Sequence, residues 1–244
     1  MITLTASTEN IVEIINSFNE SLSLLDKERT ATIPLCIDPP ATTTGHCLFM
    51  FDWVCQGYLN RYLNLAKAFA ASINNEDALP AAMIGRGLLE TIAQFHNLLN
   101  KIGAHQKEKN FDQVYHYIAS YMLGGNHGFK PEHKLKSLHI NNALREIDKT
   151  FNNKVSESHK WLCEFVHPNS MGTTVGFSHV DRQNSIVIFH EKIPFERGSS
   201  LVMEAALWSP VFQSDWERVS ELRALIASEW RPNEKVCDLF EGGR

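Results

Sequence analysis

The stretch from Ser158 to Asn169 puts more reactive side chains close together than any other part of the chain. At about 100° per residue, Lys160, Cys163, Glu164 and His167 share one side of a helix, with His159 beside them. Pro168 disfavours helical geometry at the residue before it, so the helix is expected to stop at His167. An imidazole there can exchange a proton near neutral pH, and a helix C-terminus favours its protonated form. Lys160, about two turns or roughly 10 Å earlier, has the reach to hold a phosphate near it. The plainer alternative is that His167 caps the helix or packs against the β-prone segment beyond Pro168.

Two further sets have chemical potential. Arg86 and Glu90, at i and i+4, form either an ordinary surface pair or, if buried beside His167, an anion-binding or imidazole-orienting pair. His159, Cys163 and His167 make a stripe of potential metal ligands, and Glu164-x-x-His167 has the spacing of a di-iron half-site. That stripe extends about 12 Å along the helix, too far for one small ion. The chain has no second Glu-x-x-His and no His-Glu-x-x-His, so no metal site is expected. Fingerprints for dinucleotides, nucleoside triphosphates and a serine nucleophile elbow are missing too, and no cofactor is expected.

The elements that must position these residues are mostly helical. Ile11, Ile14, Ile15, Phe18, Leu22 and Leu25 recur at helical spacing. Residues 30–44, with three prolines and five threonines, read as an extended loop. From Cys47 to Ile73 the chain is apolar on nearly every face, which suits a central helix or one buried at an oligomer interface. Asp52 lies in its most apolar part and is expected to have a partner or face a cavity. A third helix, Ala78 to Ile102, has a core stripe of Ile84, Leu88, Ile92, Phe95 and Leu99. Arg86, Glu90, Ala93 and Asn97 lie on another side. Two more helices are expected over Lys107–Leu123 and His133–Phe151, broken by Gly124-Gly125-Asn126-His127-Gly128.

Beyond Pro168 the runs Thr173–Val180 and Ser185–His190 flank Asp181-Arg182-Gln183-Asn184 and predict a β-hairpin over about 172–190. His179 and His190 lie in it, within conceivable reach of His167. A final helix is expected over Ser199–Trp230 with a kink at Pro210, then a frayed tail over 231–244. With no repeat or linker, the 244 residues read as one mainly α domain, a helical bundle carrying a small late hairpin.

Composition narrows the functional classes. A net charge of −5 argues against general adhesion to nucleic acid or anionic membrane, though a local basic patch remains compatible with it. The five cysteines form no Cys-x2-Cys pair. No apolar run spans a bilayer, and residues 1–5 do not begin a secretory signal, so a reducing cytoplasm is expected.

The Arg86-x3-Glu90 helix, the later helix ending His167-Pro168 and the short β-prone segment resemble bacterial all-helical proteins. Those proteins are linked distantly to the HEPN superfamily (higher eukaryotes and prokaryotes nucleotide-binding). The resemblance covers roughly Cys47 to Phe189. It implies a bundle that dimerises and a metal-independent RNase or nucleotide-acting protein of stress or phage defence. In that pattern, Arg-x4-6-His, His167 takes the histidine position, and the arginine position falls on Lys160. Lysine offers a point charge where arginine offers a planar fork. The resemblance thus implies His167 as acid/base, Lys160 and Arg86 on phosphate and Glu90 orienting a partner. The competing expectation is a non-catalytic binding or dimerisation module, alone or with a defence or stress partner.

Overall fold

The computed structural model describes residues 1–3, 9–34, 44–123, 139–170, 172–193 and 203–229. Its long helices are α1 (Glu9–Lys27), α2 (Thr44–Asn74) and α3 (Ala78–Lys107), then α4 (Phe111–Leu123), α5 (Ile140–Phe151) and α6 (Lys154–Val166). A single turn, α7 (Thr174–Phe177), leads into the antiparallel strands β1 (Ser178–Asp181) and β2 (Ile186–Phe189). The last helix is α8 (Ser209–Glu229). This is the mainly α bundle with a late hairpin that the periodicities predict.

Two helices form the centre. α3 packs against α2, α4, α5, α6 and α8, and α2 packs against α1, α3, α4 and α8. An all-round apolar α2 is therefore explained by its place inside the bundle. Tyr62, Phe95 and Phe212 stack across α2, α3 and α8, with ring centroids 4.1 and 4.7 Å apart, and Tyr58 continues the column 5.6 Å from Phe95. Gly85 allows close approach here, since a Cβ on it would stand 2.9 Å from that of Ala205.

The polar side expected of α3 is not a solvent face. Ala93 and Asn97 are buried, and Arg86 and Glu90 are half-buried. Asp52 has a partner as expected: Arg223 Nε on α8 donates to both carboxylate oxygens, at 2.8 and 3.1 Å.

Several boundaries differ from expectation for local reasons. α4 starts at Phe111, after a turn in which Lys109 adopts positive φ. Between α5 and α6, Asn152 and Asn153 both sit in the left-handed region, which asparagine tolerates best among residues with a Cβ. Asn153 makes no side-chain cap. Instead the buried Asp148 of α5 accepts the first amides of α6, from Val155 and Ser156, at 3.1 and 3.2 Å. The hairpin begins at Ser178 because Thr174–Phe177 coil into one helical turn. Pro210 does not kink a long helix. It lies in the first turn of α8, where its missing N–H costs nothing, and residues 203–207 form a separate turn before it. The glycine-rich break at 124–128, much of the 30–44 loop and the 231–244 tail lie outside the described residues.

Candidate functional site

The Asp148 cap fixes the start of α6 and so the angle at which its third turn meets α3. Val155, Ser158, Leu162 and Phe165 are buried on that face, and Trp208 Nε1 donates to the Ser158 hydroxyl at 3.1 Å. The result is a chain of four side chains. Arg86 Nε donates to Glu90 Oε1 at 2.9 Å, and His159 Nε2 meets the same oxygen at 3.0 Å. On the other side of the ring, His159 Nδ1 faces Cys163 Sγ at 3.7 Å. In the neutral ring a carboxylate at Nε2 makes that nitrogen the N–H and leaves Nδ1 with a lone pair toward the thiol.

The bond from His159 is the main cause holding the Glu90 carboxyl below its ordinary value; burial pushes the other way, and Arg86 adds to the lowering. Burial raises the Cys163 thiol. Arg86 and Glu90 are thus a buried-edge pair that orients an imidazole, but the imidazole is His159. His167 caps α6 in extended geometry, as Pro168 predicts, with its backbone N–H on Cys163 O at 3.0 Å. Its side chain and that of Lys160 are exposed, and among the described residues neither makes an ion pair or hydrogen bond. Glu164 accepts from Asn169 at 2.6 Å. His179 and His190 pair with each other, Nδ1 to Nε2 at 2.8 Å.

Glu90 also lines a cleft of about 480 Å³ between α2, α3 and α4, with Ile140 of α5 in its lining. Only Oε1 is engaged by Arg86 and His159, so Oε2 remains able to accept a hydrogen bond. Trp53, Tyr58 and Tyr121 supply aromatic walls, and burial keeps both tyrosines protonated well past neutral pH. Arg61 stands in the same wall. Its Nε donates to Thr91 Oγ1 at 3.0 Å, and the Thr91 hydroxyl in turn donates to Gly87 O at 2.7 Å. Among the described residues Arg61 has no carboxylate partner. A second hollow of about 350 Å³ adjoins the cleft, and Trp53 and Gly57 line both.

Lys160 and His167 do not line these hollows. Arg61 and Thr91 carry no motif in the sequence, because they meet across two helices. The i, i+4 spacing of His159 and Cys163 is legible, yet nothing local says that Glu90 joins them.

A second buried network lies on the opposite flank of α3. His96 Nδ1 meets Asp215 Oδ2 at 2.8 Å, Arg218 bonds Asp215 and Asn100, and Asn100 Nδ2 donates to His96 Nε2 at 2.8 Å. That ring is closed on itself and ties α3 to α8. Among the described residues no three His, Cys, Asp or Glu side chains converge as metal ligands would. No described helix is long and apolar enough to cross a membrane. No family model matches this chain, and neither a curated protein nor a solved structure is significantly similar to it.

Proposed function

We propose that the chain binds a nucleotide, or the equivalent unit of an RNA, in the α2–α3–α4 cleft, without a metal. One observation carries this reading: the Arg61 guanidinium, oriented by a neutral hydroxyl and without a carboxylate partner among the described residues, stands in a cleft walled by aromatic rings. An oriented arginine suits a phosphate, and the exposed Trp53 ring suits a base. The Oε2 atom of Glu90 adds an acceptor for a base amine. The volume is that of a small-ligand site. The HEPN resemblance points to the same ligand class, with the arginine supplied from α2 and Lys160 outside the cleft.

Equilibrium dialysis with mononucleotides and a short RNA tests the reading. Arg61→Gln is expected to weaken binding about 10-fold or more, the loss of one or two charge-assisted bonds. Absence of binding at millimolar ligand, or equal binding by the variant, would overturn it. Cleavage of a mixed RNA pool in EDTA by wild type and His167→Ala tests catalysis separately. Cleavage lost in the variant would make the protein a metal-independent RNase with His167 as its acid/base.

The hairpin favours a second reading, self-association. Val180 pairs with Val187, and Phe189 lies on the same face, and all three are more than half exposed, Phe189 at 71%. A two-stranded sheet with such a face gains stability by covering it with a second copy. Sedimentation across a dilution series, with Phe189→Ser beside wild type, checks this; a monomer at every wild-type concentration refutes it.

A further inference from the structure

The chain Cys163–His159–Glu90 does chemistry that cleft binding does not use. In its neutral form the imidazole has its N–H on a carboxylate and its lone pair toward a thiol, the order nucleophile, base, orienting group. Glu90 is itself held by Arg86, so the imidazole is fixed from the far side. Cys163 is half-buried and reachable, whereas Cys47 and Cys55 are fully buried, the thiol of the former pushed up to about 12 by desolvation. Lys160, one turn back on α6, is exposed and unpaired among the described residues, so it favours approach of an anionic reagent. Glu164 lies beside Cys163 and opposes this, but Asn169 donates to its Oε2.

We infer that Cys163 is a site of covalent modification by low-molecular-weight disulfides, with His159 as its base and Glu90 as the residue that positions the base. Sγ attacks one sulfur of the disulfide as its proton passes to His159 Nδ1. The new S–S bond forms, the old one breaks, and the departing thiolate takes the proton back from the imidazolium. Cys163 is oxidised to a mixed disulfide, and half of the reagent is reduced to thiol. The charges acting on the thiol are Arg86 and Glu90 from α3 and Glu164 on α6. The carboxylate of Glu90 stabilises the imidazolium while it exists.

The test is the rate of adduct formation with oxidised glutathione, followed by intact mass and located by peptide mapping. Wild type is expected to form an adduct at Cys163 that Cys163→Ser does not. His159→Gln is expected to slow that adduct about 10-fold or more, as removal of a general base does. Glu90→Gln should slow it less, because its amide still accepts from the ring. As a readout on the unaltered protein, the Cys163 rate should show a solvent deuterium isotope effect that His159→Gln loses, because proton transfer to the imidazole accompanies the attack. Equal rates in wild type and His159→Gln, or an isotope effect unchanged in that variant, would overturn the assignment. So would an unmodified Cys163.

Discussion

Replacing Glu90 by glutamine tests the centre of the site without changing its shape. Oε1 of Glu90 accepts from Arg86 Nε and His159 Nε2 at 2.9 and 3.0 Å, and an amide oxygen in the same place still accepts both. What is lost is the charge. A hydrogen bond to an ionised group is worth about 1.5–3 kcal/mol net and a neutral one about 0.5–1.5. The Arg86 bond counts for less, because both of its side chains are more than a quarter exposed; the His159 ring is only 12% exposed. The expected loss is therefore about 1–2 kcal/mol, or roughly 3–6 °C in Tm for a chain of this size. The effect has a sign in pH as well. Glu90 titrates lower in the folded protein than unfolded, with His159 the first cause. Its contribution is fully present above the unfolded value and is lost as pH falls through the folded one. Urea unfolding of both proteins from pH 7 into the acid range should show the gap between them closing only below the ordinary carboxylate range. A gap under about 0.3 kcal/mol at pH 7, or one that stays constant to the acid end, would refute the assignment of Glu90 as the charged anchor of His159.

Gly57→Leu should leave Tm unchanged or raise it, since a Cβ there meets nothing within 4 Å and glycine is a poor helix former, yet it should block ligand binding by entering the space shared by the two hollows. Gly172→Ala should cost about 1–3 kcal/mol in thermal unfolding, because its Cβ would lie 2.6 Å from Phe165 O and against His167 O. His96→Ala should cost about 2–4 kcal/mol by urea unfolding, because Asp215, only 4% exposed, and Asn100 each lose a partner inside the closed ring.

What could be read from residues alone was whatever depends on local periodicity. The helices, the hairpin and the end of α6 at His167 follow from apolar spacing and from the geometry proline imposes on its neighbour. So does the need of Asp52 for a partner, although Arg223, the partner itself, stands in a helix near the other end of the chain. Where the apolar pattern misled, the cause was a local turn in one place and tertiary packing in another. The turn at Thr174–Phe177 shortens the first strand, and the polar side of α3 is covered by α4 and α6.

The candidate site divides along the same line. Sequence spacing alone determines that Arg86 can reach Glu90 and that His159 can reach Cys163, because residues four apart on a helix are neighbours whatever surrounds them. Only the packing of α6 on α3, set by the Asp148 cap and the buried Val155, Ser158, Leu162 and Phe165, joins the two pairs into one chain. The same packing leaves His167 and Lys160 facing solvent, because they lie off the face that α3 covers. Arg61 is the clearest case. Its charge is written in the sequence, but its lack of a carboxylate partner among the described residues, and so its value to a ligand, depends on which side chains three helices bring around it.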